Sequence, residues 1–182
     1  MFRCSRKKEK VVFLYKPDME KSRARMEIKM KQEQYQIRKM EMDDYNEVYA
    51  LWGKIHGFAI RSIDDSREGI ERFLKRNPTT SVVAVEEGHV VGAILCGHDG
   101  RSACFYHVCV DEAHRKRGIG EAMVRHCLVA LKEEKINKVN LMAFKNNELG
   151  NEFWQGLDWK IREDINYYEA VLNQNNISTV NP

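Results

Sequence analysis

The sequence predicts an α+β (mixed α/β) domain, a central mixed β-sheet flanked by helices, and three observations lead there. Three apolar, β-patterned runs follow one another between residues 81 and 110, joined by Glu87-Gly88 and Asp99-Gly100, turn signals that make antiparallel hairpins. The period then changes: Ile119, Met123, Cys127 and Leu131 step by four, with Val124 and Leu128 beside them, as on one face of a helix. A further apolar run at 138–144 completes a β-α-β crossover, which adds a parallel pair to the antiparallel set.

The elements follow in order. Tyr35–Met40 is short and alternating, a first strand. Asp43 or Asp44 can cap the next helix, which carries Val48, Leu51, Trp52 and Ile55 at helical spacing. His56–Ile63 contains Gly57 and loses the period, so it reads as a loop. Asp65 or Ser66 caps a second helix with Ile70, Phe73 and Leu74 on one side, and Asn77-Pro78 stops it. Strands at Ser81–Glu86, Val90–Cys96 and Ala103–Val110 come next, then the helix from Ile119 and a strand at Lys138–Phe144. Glu148–Gly156 is a short helix, and Trp159–Arg162 and Ile165–Leu172 read as closing strands. Asn173–Pro182, rich in Asn, reads as a frayed polar tail.

Composition narrows the function. At 182 residues the chain can bury a core without metal or disulfide support. No apolar stretch nears the ~20 residues that span a bilayer, and no apolar run follows the basic N-terminus as in a secretory signal. Five cysteines without a CxxC pair or a His-linked spacing argue against a disulfide scaffold and a zinc site, so no metal is expected and a cytoplasmic location is. The net charge of +3 is uneven: residues 1–34 hold eleven Lys/Arg against five Asp/Glu, whereas the remainder is mildly acidic. The expected organisation is a basic extension over 1–34, a domain over 35–172 and a tail over 173–182. The extension reads as a solvated head, or as sequence upstream of a later start at Met26 or Met30. Its basic residues lack interleaved aromatics, so nucleic acid is not the expected partner.

Chemistry concentrates in Val108-Cys109-Val110-Asp111-Glu112-Ala113-His114-Arg115-Lys116-Arg117-Gly118-Ile119-Gly120. A strand ends, three consecutive cations follow, and two glycines open a helix. Glycines let backbone N–H groups approach an anion, the first helical turn offers unpaired donors, and the cations add charge, a design suited to a diphosphate. Walker A needs Gly-Lys-Ser/Thr, and a Rossmann fingerprint needs a glycine close after the strand and a third glycine; neither fits.

Arg115-x-x-Gly118-x-Gly120 between strand and helix resembles the acetyl-coenzyme A pyrophosphate signature of the GNAT (GCN5-related) N-acetyltransferases. Asn147-x-x-Gly150-x-x-Phe153-Trp154-x-x-Leu157-Asp158-Trp159 is similar to a second segment of that family, and the resemblance covers roughly residues 35–172. It implies the acyl-CoA N-acyltransferase fold, with a splay between the fourth and fifth predicted strands (103–110 and 138–144). It further implies that the backbone of Val108, Cys109 and Val110 pairs with pantetheine, and that Arg115, Lys116, Arg117, Gly118, Ile119 and Gly120 hold the diphosphate. Asn147 would hydrogen-bond the coenzyme and Phe153 would pack beside it, though Phe153 also fits plain core packing.

Two positions depart from the family pattern. Trp154 stands where a proton-donating Tyr is frequent; a thiol of pKa near ~8.5 leaves without it. Asp158 stands in place of a glycine and tolerates left-handed geometry better than most residues.

Tyr106 and His107 precede the pantetheine segment and are the candidate catalytic groups, His107 as base or as a packed histidine, Tyr106 as water-orienting group or proton donor. Strand alternation would point only one of them at the reaction. Cys109 reads as a small core residue, not a nucleophile. Asp64 and Asp65 fall in the region that shapes acceptor pockets in this family. They would favour a cationic amine, although helix capping explains one of them equally well.

The expected activity is transfer of acetyl from acetyl-CoA to a primary amine, on a small molecule or a protein, by direct attack in a ternary complex. The alternative is a non-catalytic acyl-CoA sensor of the same fold, and a homodimer is compatible with either.

Overall fold

The computed structural model describes residues 35–57 and 59–180; the basic head over 1–34 lies outside the described residues. The chain runs β1 (Gln36–Lys39), α1 (Tyr45–Trp52), β2 (Ala59–Arg61), α2 (Arg67–Arg76), β3 (Val82–Glu86), β4 (His89–His98), β5 (Ala103–Val110), α3 (Ile119–Glu133), β6 (Val139–Leu141), α4 (Glu148–Gly156) and β7 (Ser178–Val180). Short 3-10 turns at Met42–Asp44 and Glu112–His114 precede α1 and follow β5.

Local chemistry sets these boundaries. Ser66 caps α2 by accepting the Gly69 N–H at 3.1 Å, which leaves Asp65 available for other partners. Neither Asp43 nor Asp44 caps α1 through its side chain; Asp44 instead accepts the Glu41 N–H at 2.9 Å and pairs bidentately with Arg38 at 2.6 and 2.7 Å. Glu87 and Gly88 both take positive φ, as a two-residue hairpin turn between right-twisted strands requires. After α4, Asp158 adopts φ +62°, and the bonds from Trp159 N–H to the Trp154 carbonyl and from Asp158 N–H to the Gln155 carbonyl close the helix in a left-handed cap.

The main sheet has the order β1-β3-β4-β5-β6, antiparallel except for the parallel β5/β6 pair. On one face α3 buries Ile119, Met123, Val124, Cys127 and Leu131 against Val82, Ala84, Ile94, Cys96 and Phe105. On the other, Val48, Leu51 and Trp52 of α1 and Ile70 of α2 meet Val83, Ala93, Leu95 and Cys109. Each large aliphatic side chain buried in this way contributes about 1.5–3 kcal/mol.

Four expectations are corrected. The 56–63 loop contains a strand, β2, and the polar tail does not fray over 178–180, because β7 pairs antiparallel with β2. Polar side chains hold the tail: the Asn176 side-chain oxygen accepts the Ile63 N–H at 2.9 Å, and Ser62 Oγ accepts the Ile177 N–H at 2.9 Å. Such clasps leave no trace in hydrophobic periodicity. The strand at 138–144 shortens to Val139–Leu141, and 159–162 and 165–172 form no strands. The parallel ladder with β5 accordingly ends at the Phe105–Leu141 pair.

Candidate active site

Beyond Phe105 and Leu141 the two strands part, which leaves the second half of β5 unpaired on its β6 side among the described residues. Extended backbone there presents ladder groups to anything that enters between the strands. Val108, Cys109 and Val110 all line the resulting cleft.

At the end of β5 the chain turns sharply. Asp111 accepts the Ala113 N–H at 3.0 Å, Lys116 takes φ +59°, and Gly118 takes φ +83° as the residue that starts α3. The left-handed Gly118 aims the first N–H groups of α3, which have no partner inside the helix, together with the positive end of its dipole. Arg115 is tied to this turn, its Nε donating to the Val110 carbonyl at 3.3 Å, and it lines the cleft with Lys116, Gly118, Ile119 and Gly120. Arg117 is the exception among the expected diphosphate residues. It forms a bidentate pair with Glu86, one bond at 2.9 Å, and is absent from the cleft wall. Glu86 also meets His114 Nε2 at 3.1 Å, and the Arg117 guanidinium holds its carboxyl below the ordinary range. Arg117 therefore braces the turn against β3.

Gly120 and Phe153 belong together: a Cβ on Gly120 would stand 3.1 Å from the Phe153 ring. Phe153 in turn packs on Trp154, at a centroid distance of 4.9 Å, and both belong to a group with Phe105 and Trp159. Trp154 is thus an aromatic packing residue of α4 itself. Asn147 caps α4 by accepting the Gly150 N–H at 2.9 Å, and it donates to the Gly57 carbonyl at 3.1 Å. It joins the loop after α1 to the start of α4 across the cleft.

Tyr106 and His107 correct the alternation argument. Ala93 pairs with Cys109 and Leu95 with Tyr106, so an extra residue of β5 sits in a bulge at this point, and His107 takes φ +48°. A bulge of this kind breaks the two-residue period. Tyr106 and His107 consequently face the same side: Tyr106 meets Phe73 of α2 edge-on at 6.0 Å, and His107 lies 4.6 Å from the Trp52 ring of α1. His107 Nε2 donates to Asp65 Oδ1 at 2.7 Å, and both side chains are largely buried. Asp65 Oδ2 accepts the Arg61 N–H at 2.6 Å, so its carboxylate is fully engaged. Asp64 accepts from Asn176 Nδ2 at 2.7 Å and lies 3.7 Å from the Arg61 guanidinium.

Burial pushes the Tyr106 phenol up to about 12 and the Cys109 thiol up to about 12. Both remain protonated at neutral pH, so Tyr106 can donate a proton and Cys109 cannot act as a thiolate. The pairing of His107 with Asp65 was not legible in the sequence, where 42 positions separate them. Nor was the brace from Arg117 to Glu86. Among the described residues no group of His, Cys, Asp and Glu is arranged to hold a metal ion, and no helix is long and apolar enough to cross a membrane.

The model of the acetyltransferase (GNAT) family matches residues 35–159. An acetyltransferase of Sodalis glossinidius (strain morsitans) is 30% identical over 130 residues, covering 71% of this chain and 90% of that protein. An uncharacterised N-acetyltransferase of Yersinia pestis is 29% identical over 130 residues, covering 71% and 91%. Among solved structures, an aminoglycoside acetyltransferase from an uncultured soil metagenomic sample shares the fold at a TM-score of 0.60 and 20% identity, over 78% of this chain and 98% of that one.

Proposed function

The chain belongs to the acetyltransferase (GNAT) family and is an acetyl-CoA-dependent acetyltransferase, and from that premise we propose that it transfers acetyl to a primary amine by direct attack in a ternary complex. The observation that carries this reading is the alignment of two features along β5. Its unpaired edge begins after Phe105, and its far end leads into the Gly118 turn and the N-terminus of α3. An elongated thioester with a diphosphate at one end suits that layout. Main-chain groups of 108–110 would pair with its amide-bearing arm. The α3 N-terminus, Arg115 and Lys116 would hold the anion, and Phe153 on Gly120 would wall the channel.

The transfer needs an amine lone pair. The ammonium loses a proton, nitrogen bonds to the carbonyl carbon and gives up a second proton as the C–S bond breaks, and the sulfur takes up one proton so that the coenzyme departs as the thiol. His107 suits the first proton transfer. Asp65 accepts from Nε2 and so orients the ring on the face of β5 where the acceptor would sit. Tyr106, on the same face, is the available donor toward the sulfur. A leaving thiol of pKa near ~8.5 needs little help, so Tyr106 contributes less than His107.

Calorimetric titration with acetyl-CoA, followed by an amine panel and a free-thiol assay, tests the reading. Micromolar binding with amine-dependent thiol release is expected. Failure to bind acetyl-CoA would refute the site, and binding without release across the panel would refute the transfer.

A further inference from the structure

The acceptor half of the cleft has a charge that the two aspartates do not set. Asp65 is spent on His107 and the Arg61 N–H, and Asp64 on Arg61 and Asn176. The cations of α2 are not spent. Arg72, Lys75 and Arg76 are exposed and line the cleft, and among the described residues none of them has an ion-pair partner. At helical spacing the three share one side of α2, and Phe73 between them packs edge-on against Tyr106. Five further carboxylates line the cleft, none of them on α2: Glu121 in the first turn of α3 is paired with Arg125, Glu148 and Glu152 lie on α4, and Glu163 and Glu169 come from the exposed segment after α4, where Glu169 accepts the Tyr167 hydroxyl at 3.2 Å.

Building on the amine-transfer reading, we propose that the acceptor carries an anionic group, a carboxylate or phosphate, close to its amine, and that Arg72 and Arg76 recognise it with Lys75 beside them. Guanidinium groups bind such oxyanions bidentately. The engaged aspartates remove the counter-attraction that a polycationic acceptor would need. The acceptor class is therefore the opposite of the cationic amine that Asp64 and Asp65 suggest in the sequence.

The test uses the full chain saturated with desacetyl coenzyme A, so that binding is read without turnover. Calorimetry compares matched probes: O-phosphoethanolamine against ethanolamine, and β-alanine against β-alaninamide. At low ionic strength the anionic member of at least one pair should bind about tenfold tighter, with the advantage shrinking as salt screens it. Which pair shows the larger gap separates phosphate from carboxylate. The Arg72→Ala/Arg76→Ala double variant should lose that advantage and keep its affinity for acetyl-CoA; alanine suits an exposed helix, so folding is retained. Lys132→Ala, which removes an exposed charge from the last turn of α3 outside the cleft, should keep the preference. Equal or weaker binding of the anionic probes, no binding of either, or an unchanged preference in the double variant would each overturn the proposal. Absence of thiol release with every amine, alongside an intact anionic preference, would count against amine transfer and leave this recognition standing.

Discussion

Replacing Gly118 with alanine separates backbone strain from ligand binding. Gly118 sits at φ +83°, and a Cβ there would have no heavy atom within 4 Å, so Gly118→Ala introduces no clash. Its whole cost is the left-handed conformation, about 1–2 kcal/mol for a residue with a Cβ. Gly100, at φ +87° in the β4–β5 hairpin, is a matched control, because a Cβ there is equally unobstructed. At ~2–4 °C per kcal/mol for a domain of this size, both variants should lower the melting temperature by about 2–8 °C. Only Gly118→Ala should weaken acetyl-CoA binding, by at least about tenfold, since relaxing the strain re-aims the first N–H groups of α3. Thermal unfolding and calorimetric titration of both variants read the two quantities separately. Unchanged acetyl-CoA affinity in Gly118→Ala, or an equal loss in Gly100→Ala, would refute the role assigned to the turn.

Asp65→Asn should lower kcat by about 10- to 100-fold with KM for acetyl-CoA unchanged, because the carboxylate orients His107; an unchanged kcat would reduce Asp65 to a structural part. Cys109→Ala should keep turnover within about threefold of wild type, and a thiol-alkylating reagent at neutral pH should spare Cys109, as its buried thiol stays protonated. Trp154→Tyr should leave kcat essentially unaltered, whereas Trp154→Ala should cost about 3 kcal/mol of stability in a denaturant titration by emptying the aromatic group it forms with Phe105 and Trp159. Burial pushes the Asp44 carboxyl up, but hydrogen bonds from Arg38 and the Glu41 N–H outweigh it, and the net position is below the ordinary value. A depressed carboxyl stabilises the fold above its unfolded pKa, near ~4, and loses that contribution as pH falls through its folded value. Asp44→Asn should therefore lower stability at neutral pH and flatten the acid-unfolding curve below ~4; an acid limb as steep as that of wild type would show that Asp44 carries none of it.

Much of this protein was legible because the deciding interactions are local. Ser66 capping α2, the Glu87-Gly88 hairpin, the left-handed Asp158 and the helix from Ile119 each depend on groups a few positions apart. Arg115-x-x-Gly118-x-Gly120 is equally compact, so the turn that opens α3 could be identified before its geometry was known. The sequence by itself therefore determined the sheet of hairpins and crossover, the family and the place of the glycine turn that opens α3. Tertiary structure decided what the charged residues around that turn do. It drew Arg117 away to Glu86, spent Asp65 on His107, held Asp64 with Asn176 of the tail, and left the cations of α2 facing the cleft. It also set Tyr106 and His107 on one face through the bulge opposite β4. The physical reason is range: capping and periodicity are settled within a turn of helix or a hairpin. A charged side chain is instead claimed by whichever partner the packed fold brings within about 3 Å, wherever that partner lies along the chain.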